Sequence, residues 1–306
     1  MTRAANAPIA GRKDRLDVVA IASLLLCCVL WGLNQVAAKM ALADIPPLTQ
    51  AAARSLGAAL LVLAWARWRG ISITVSDGTL RGGVVAGALF AAEFACIFVG
   101  LQYTSASRMV VFLYLAPFLV ALGMPFIARS ERLTPLQWLG LATAFAGVAW
   151  AFSEGFAPNA SAGLRQWLGD ALGVAAALFW GATTLVIRYT ALASAPAEKT
   201  LLYQLVVSGG LLALTAWLAG ESWPSQVGRL SLASLAFQTV VVTFASYLLW
   251  FWLVRHYPAT RLAAFTLLTP VAGLMAGVVL LGEPLTVRLV VAVTAVALGI
   301  ALVTRR

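Results

Sequence analysis

The chain has 306 residues, of which 62% are apolar and only 10% are charged, and its mean hydropathy is +0.92. A soluble domain carries roughly a quarter of its residues as charges, so this composition excludes a soluble globular protein. The formal net charge of +10 does not indicate nucleic-acid binding, because the basic residues lie at the ends of apolar runs and form no patch.

Apolar runs long enough to cross the hydrocarbon core, about 20 residues each, follow one another along the whole chain. They predict an all-α integral membrane protein of about ten transmembrane helices. The motifs that recur along the chain, described below, predict that these helices form two inverted five-helix repeats around a central cavity. The predicted spans are 18–42, 48–68, 80–101, 106–128, 134–152, 169–190, 199–219, 231–254, 259–281 and 286–304.

The N-terminal tail, residues 1–17, is basic and precedes an apolar run that resembles a signal peptide. That run is longer than a signal segment and contains Asn34, Gln35 and Lys39, so we expect it to be retained as the first helix.

Most basic residues fall at alternate junctions, on the side that holds both termini. The positive-inside rule therefore predicts that both termini are cytoplasmic. The residues assigned to the opposite side are Lys39, Arg54, Arg108, Arg165, Arg229 and Arg288.

The first span carries polar residues on one face, because Trp31, Asn34, Gln35 and Ala38 follow helical spacing. Two interpretations are open for Asn34 and Gln35. They either bond to a neighbouring helix, or they line a polar site near the axis between the repeats.

Glu93 is the only acidic residue that the predicted spans place deep within a helix. A carboxylate there costs about 2.5–3.5 kcal/mol on insertion scales, so it should face the interior of the bundle. Three roles are open: it holds a substrate ammonium, carries a proton, or pairs with a cation such as Arg108 or Arg54.

Pro117 and Pro270 lie inside apolar runs, where proline removes a backbone hydrogen bond and kinks a helix. Each is either a fixed packing kink or a bend that flexes around the cavity during gating.

Tyr114 and Tyr247 lie deep enough to need a polar partner or a cavity, and with Trp180 they can stack on an aromatic or apolar substrate.

The loop 153–168 divides the first repeat, 18–152, from the second, 169–304, and the same residues recur in both. Trp31-Gly32 matches Trp180-Gly181, and the polar pair that follows it matches Thr183-Thr184. The other matches, in the same order, are Lys39 with Arg188, Ala106-Ser107-Arg108 with Ala259-Thr260-Arg261, Pro117 with Pro270, and Glu131-x-Leu133-Thr134 with Glu283-x-Leu285-Thr286. An odd number of spans per repeat requires the second repeat to insert upside down, which is the arrangement that alternating access needs.

The sequence contains no enzyme signature. His256 is the sole histidine, and the three cysteines lie in apolar runs without the spacing of metal ligands, so we predict no metal, no cofactor and no enzymatic activity. Glu131 and Glu283 are expected to structure the turns ahead of the fifth and tenth spans.

Together these motifs resemble the EamA domains of the drug/metabolite transporter superfamily, over essentially the whole chain. The residues that carry the resemblance are Trp31-Gly32, Lys39, Tyr103-Thr104-Ser105-Ala106, Pro117, the stretch from Glu131 to Gly140 with Gln137, Ala259-Thr260-Arg261, Pro270 and Glu283-Pro284-Leu285-Thr286. The second repeat departs from the pattern at Leu289, where the equivalent of Gln137 would stand.

The resemblance implies an inner-membrane exporter whose cavity is lined mainly by helices one, three, four, six, eight and nine. Within the superfamily the chain is most similar to exporters of aromatic amino acids, with an exporter of drugs or other metabolites as the near alternative. A non-transport membrane enzyme or scaffold is the alternative of another class. The predicted partners are an amino-acid substrate and the lipid bilayer, a monomer is sufficient, and proton coupling is left open. The predicted substrate-binding residues are Asn34, Glu93, Tyr114, Trp180, Thr184 and Tyr247.

Overall fold

The computed structural model describes residues 17–74, 76–127, 134–153, 165–257, 266 and 268–304, which are helical and contain no strand. The helices in chain order are α1 (Val18–Ala41), α2 (Pro47–Trp68), α3 (Thr79–Gly100), α4 (Ala106–Leu113), α5 (Ala116–Ile127), α6 (Pro135–Ser153), α7 (Gln166–Tyr189), α8 (Ala197–Leu218), α9 (Arg229–Ala236), α10 (Tyr247–His256), α11 (Leu268–Leu281) and α12 (Val287–Thr304). A π-helical segment, Phe237–Ser246, joins α9 to α10 as one rod, and a short 3₁₀ turn follows α7.

A multi-pass membrane fold agrees with the apolar composition. In the part of the chain that the structure describes, six segments are long and apolar enough to cross a membrane, namely α1, α2, α3, α7, α8 and the rod of α9, the π segment and α10. Three shorter apolar helical segments accompany them, Ala106–Val120, Leu268–Leu281 and Val287–Gly299. The number ten stays a prediction, and the predicted tail and the inter-repeat loop fall mainly outside the described residues.

The predicted fourth span, 106–128, consists of two helices, because α4 ends at Leu113 and α5 begins at Ala116. Pro117 is the second residue of α5 and has no amide hydrogen to return to the carbonyl of Leu113. The helix therefore breaks directly ahead of the proline. Pro270 is the third residue of α11, and the residues before Thr266 that would show a kink lie outside the described part of the chain.

The second helix of each half ends in the same way. Gly70 after α2 and Gly220 after α8 have left-handed backbone conformations, with φ of 65° and 74°. The amide that follows each glycine bonds back into the last turn, from Ile71 to the carbonyl of Ala66 and from Glu221 to that of Ala216. Both ends are Schellman caps, in which glycine takes the conformation that a side chain disfavours. The repeat predicted from side chains thus extends to backbone geometry.

The helices pair across the two halves. The last helices of the halves, α6 and α12, pack on each other, and so do the second helices, α2 and α8. The first helix α1 packs on α11, and its counterpart α7 packs on α5, which is the counterpart of α11. Reciprocal pairing of this kind is the pattern expected of two similar halves related by an approximate twofold axis.

Where α1 crosses α11, the two backbones touch. A Cβ atom added to Gly32 would lie 2.6 Å from the amide nitrogen of Gly273 and 2.9 Å from the carbonyl carbon of Ala272. Small residues allow this close approach between membrane helices. Its counterpart Gly181 is less confined, because the Cβ there would meet the side chain of Leu119 at 3.0 Å.

An ion pair joins the halves where α3 and α8 begin. The Lys199 ammonium donates to the Asp77 carboxylate and to the Thr74 carbonyl, and the Thr79 hydroxyl donates to Asp77 at 2.6 Å. The hydrogen bond from Lys199, followed by that from Thr79, lowers the pKa of Asp77 from its ordinary value to about 2. This carboxylate thus remains ionised and bonded well into acid.

Replacing Asp77 with asparagine should change how stability depends on acid. The folded-state pKa, about 2, lies below the unfolded value, so the bonded carboxylate stabilises the protein above about pH 4 and that contribution is lost as the pH falls toward 2. The Asp77→Asn variant should therefore be less stable than wild type at pH 7 and lose less stability between about pH 4 and pH 2. Thermal unfolding in detergent measures this, and equal losses in both proteins would contradict it.

Candidate functional site

A fully buried arginine lies in the second turn of α2. Arg54 is 0% exposed, and among the described residues none of its three side-chain nitrogens has a hydrogen-bond partner. The side of the membrane on which the charge count places Arg54 stays a prediction, and the structure shows that its side chain is buried. Its guanidinium carbon lies 3.7 Å from the centre of the Phe94 ring and 5.6 Å from that of Phe98.

Glu93 on α3 and Tyr247 at the start of α10 complete what we call the Arg54 cluster. Glu93 is 6% exposed, and within the described part of the chain its Oε2 has no hydrogen-bond partner. Electrostatic interactions link all three side chains, since Tyr247 interacts with both Arg54 and Glu93. The cluster therefore holds one buried cation and one buried carboxylate, on helices from both halves.

The structure decides between the two cations that could pair with Glu93. Arg108 is bound elsewhere, because its Nη2 donates to Asp170 at 2.5 Å and its Nε donates at 3.0 Å. Thr104 also donates to Asp170, at 2.6 Å. Arg54 is thus the cation that Glu93 faces.

Further buried polar groups without partners flank the cluster. The π segment packs on α2 and carries Gln238 and Thr243, five residues apart, as the i to i+5 bonding of a π-helix aligns them. Gln238, Thr243 and the Oε1 atom of Gln50 on α2 have no hydrogen bond to any described residue. Buried polar groups are normally satisfied, so these unsatisfied side chains are candidates for contact with a polar ligand or water. π-Helical turns are often found at functional sites.

Aromatic rings lie around the cluster. Trp31 packs edge-on against Tyr247 and Trp250, with ring centres 6.5 and 5.3 Å apart, and its indole donates to Ser246 at 2.9 Å. Tyr114, in the break between α4 and α5, packs edge-on against Trp180 at 5.9 Å. These pairs give the interior flat, rigid apolar walls.

The structure brings some of the predicted binding residues together and separates others. Glu93 and Tyr247 share the Arg54 cluster, and Tyr114 contacts Trp180 and interacts electrostatically with Tyr247. Asn34 is buried, and its Oδ1 has no partner in the described ranges. Thr184 donates to the carbonyl of Trp180 at 3.1 Å on its own helix, so its hydroxyl is already used. Whether these side chains bind substrate stays a prediction.

Glu283 joins the two halves by hydrogen bonds at the end of the bundle where α1 terminates. Its carboxylate accepts from the amides of Ala106 and Ser107, at 2.7 and 3.0 Å, and from the Ser107 hydroxyl at 2.6 Å. Lys39 lies 4.0 Å from the same carboxylate and donates to the Thr104 carbonyl at 2.5 Å. Glu283 thus caps the positive N-terminus of α4, a helix of the other half. Its counterpart Glu131 lies outside the described residues.

Sequence reasoning missed Arg54, Gln50 and Gln238 as site residues. Arg54 falls inside the predicted span 48–68, so the rule that selected Glu93, a charge deep within a span, selects Arg54 as well. Gln50 and Gln238 gave no comparable signal. Among the described residues, no three of His, Cys, Asp and Glu lie close enough together to hold a metal ion.

Comparison with known protein families gives two matches to one family model. The model of the EamA-like transporter family matches residues 18–153 and again residues 167–305. Each match covers one half of the chain.

Several curated relatives cover most of the chain. The "Probable amino-acid metabolite efflux pump" of Salmonella typhimurium is 30% identical over 272 residues, covering 86% of this chain and 87% of the relative. The protein of the same description from Escherichia coli is 28% identical, with the same coverage. The "Uncharacterized transporter YvbV" of Bacillus subtilis is 26% identical over 90% of this chain and 88% of its own length.

A crystal structure of another protein has a similar fold. It superposes with a TM-score of 0.66 and covers 93% of this chain and 97% of the other. The two sequences are 22% identical, so this likeness supports the fold and nothing finer.

Proposed function

Because the chain belongs to the EamA-like transporter family, we propose that it exports amino acids, neutral or aromatic ones, across the bacterial inner membrane by alternating access. The observation that carries the proposal is the Arg54 cluster, which sets unpartnered polar and charged groups among aromatic rings, on helices of both halves. Two relatives are described as amino-acid metabolite efflux pumps, which supports this substrate class.

The arrangement of the halves supports alternating access. The five spans predicted in each half invert the second half relative to the first, and the reciprocal helix pairing agrees with a cluster shared by both halves. A conformation that is open to one side of the membrane then has a nearly equivalent conformation that is open to the other side. Both termini lie in the cytoplasm under the positive-inside rule, and one copy of the chain suffices for transport.

The aromatic rings favour substrates with a flat apolar side chain. Tyr114, Trp180, Trp31 and Tyr247 lie beside the polar groups, so a ligand with one polar end and one aromatic end matches both environments. Asn34 adds an unpartnered amide oxygen on α1, whereas Thr184 contributes its methyl group rather than its hydroxyl.

Counterflow in liposomes that contain the purified protein tests the function. Liposomes preloaded with phenylalanine, tyrosine or tryptophan should accumulate the labelled amino acid, and liposomes without protein should not. An amino acid at about 100 times its Kd should also stabilise the protein by about 2.7 kcal/mol. Movement of a cationic dye but of no amino acid would favour a drug exporter. Absence of flux for every solute would favour a membrane enzyme or scaffold.

A further inference from the structure

Arg54 is a buried cation that interacts with Tyr247 and Glu93, but its N–H groups make no hydrogen bond of ordinary geometry to any described residue. It is 0% exposed, and all three of its side-chain nitrogens are without a partner in the described part of the chain. A buried charge costs several kcal/mol unless it is paired and hydrogen-bonded. A site that keeps such a charge unsatisfied in its interior suits a ligand that supplies the missing acceptors.

The Phe94 ring fixes how the guanidinium presents its donors. The guanidinium carbon lies 3.7 Å from the ring centre, so the cation lies over the face of the ring. A ring beneath a guanidinium occupies one face and leaves the five N–H groups along its edge free. That edge matches the two oxygens of a carboxylate, which arginine binds by two parallel hydrogen bonds.

Glu93 supplies the opposite charge, and it directly precedes Phe94 on α3. Its Oε2 is buried and unpartnered among the described residues, and Tyr247 interacts with both charges. An anionic ligand alone would leave Glu93 without a counter-charge, and a cationic ligand alone would leave Arg54 without one. A ligand that carries a carboxylate and an ammonium satisfies both groups and leaves the site neutral.

We propose that Arg54 binds the carboxylate of the substrate while Glu93 binds its ammonium, so that the transporter selects zwitterions. This inference rests on the proposed function and goes beyond it, because it assigns the recognition of the two charged ends to two residues. The aromatic pair of Tyr114 and Trp180 is then left for the side chain of the substrate.

Three probes that differ only in their charged groups test the assignment. They are phenylalanine, phenethylamine, which lacks the carboxylate, and 3-phenylpropionate, which lacks the ammonium. Wild type should bind phenylalanine roughly tenfold to a hundredfold more tightly than either analogue, since hydrogen bonds to charged groups contribute that much. Affinity is measured by ligand-induced thermal stabilisation, and transport by competition with labelled phenylalanine in liposomes.

The variants should change preference in opposite directions. Arg54→Gln should lose the preference for phenylalanine over phenethylamine, because Glu93 still binds the ammonium. Glu93→Gln should lose the preference for phenylalanine over 3-phenylpropionate. Arg69→Gln removes an exposed cation just after the same helix and should keep the wild-type preferences.

The quantity compared is the ratio of the affinities of two probes for the same variant. This ratio does not depend on how much of the protein folds, so the test stays decisive for a poorly folding variant. Arg54→Gln leaves Glu93 buried without its counter-charge, so the double variant Arg54→Gln/Glu93→Gln provides a neutral site, and it should prefer neither charged end. An Arg54→Gln or double variant that retains the zwitterion preference would overturn this inference while the proposed function stands. A wild-type protein that binds and moves no amino acid would instead refute the proposed function.

Discussion

Replacing Asp170 with asparagine is expected to destabilise the protein by about 3–5 kcal/mol, the usual cost of removing one partner of a buried ion pair. Asp170 is 0% exposed and accepts from Arg108 at 2.5 and 3.0 Å and from Thr104 at 2.6 Å. Asparagine is nearly the same size but neutral, so Arg108 would lose the ionised acceptor that it binds at 2.5 and 3.0 Å inside the protein. Because Arg108 belongs to the first half and Asp170 to the second, the halves should also come apart more readily.

Thermal unfolding in detergent measures this effect, with Asp77→Asn as the matched control. Both changes remove a carboxylate that joins the halves, but the Asp77 side chain is 45% exposed, so water can replace what it loses. Asp170→Asn should lower the midpoint of unfolding by much more. A double variant, Arg108→Met with Asp170→Leu, should recover much of the loss, since a buried pair can often be exchanged for apolar residues. Equal midpoints for Asp170→Asn and Asp77→Asn would show that the buried pair contributes little.

Much of the architecture could be predicted from the sequence, because it follows from apolar runs and repeated motifs. The Trp31-Gly32 motif and its counterpart Trp180-Gly181 have a direct physical basis: each glycine lies at a close helix contact. The matching Schellman caps at Gly70 and Gly220 extend the same repeat. A pattern that repeats along the chain is readable because each copy supports the interpretation of the other.

The candidate site was less predictable. Glu93 could be found because a carboxylate inside an apolar run is rare. Arg54 lies inside the predicted span 48–68 as well, but a count of basic residues that serves only to set orientation treats it like any charge at a helix end. The boundary of α2 is not the cause, because the helix begins at Pro47, one residue from the prediction. The polar role of Thr184 stays a prediction. A threonine in a helix can bond to its own backbone, and only the structure shows that it does.

The π segment and the break at Tyr114 could not be predicted at all. A run of ten π-helical residues, Phe237–Ser246, has no signature in local propensity, since packing against α1 and α2 determines which carbonyl each amide meets. Pro117 predicted a kink in the helix. It did not predict that α4 and α5 would separate and leave Tyr114 between them. Both features place aromatic or polar side chains at the candidate site.

Adding a single methyl group at Gly32 should have the second large effect. In Gly32→Ala the new Cβ would lie 2.6 Å from the Gly273 nitrogen and 2.9 Å from the Ala272 carbonyl carbon. Both contacts are with backbone, which cannot rotate away as a side chain can, so α1 and α11 must move apart. Overpacking of this kind costs about 1–3 kcal/mol. Since α1 also carries Trp31 and Asn34, the separation should reduce transport as well as stability.

Two other glycines provide graded controls for that experiment. In Gly181→Ala the nearest atom is the Cβ of Leu119, at 3.0 Å, and the nearest backbone atom is the Ala116 oxygen, at 3.5 Å, so a shift of a few tenths of an ångström relieves the contact and the loss should be smaller. Gly210 in α8 has no atom within 4 Å of an added Cβ, so alanine there should be neutral or stabilising by up to about 1 kcal/mol through its helix propensity. The expected order of unfolding midpoints is Gly210→Ala, then Gly181→Ala, then Gly32→Ala. A Gly32→Ala protein as stable and active as Gly210→Ala would mean that α1 and α11 do not touch in the membrane.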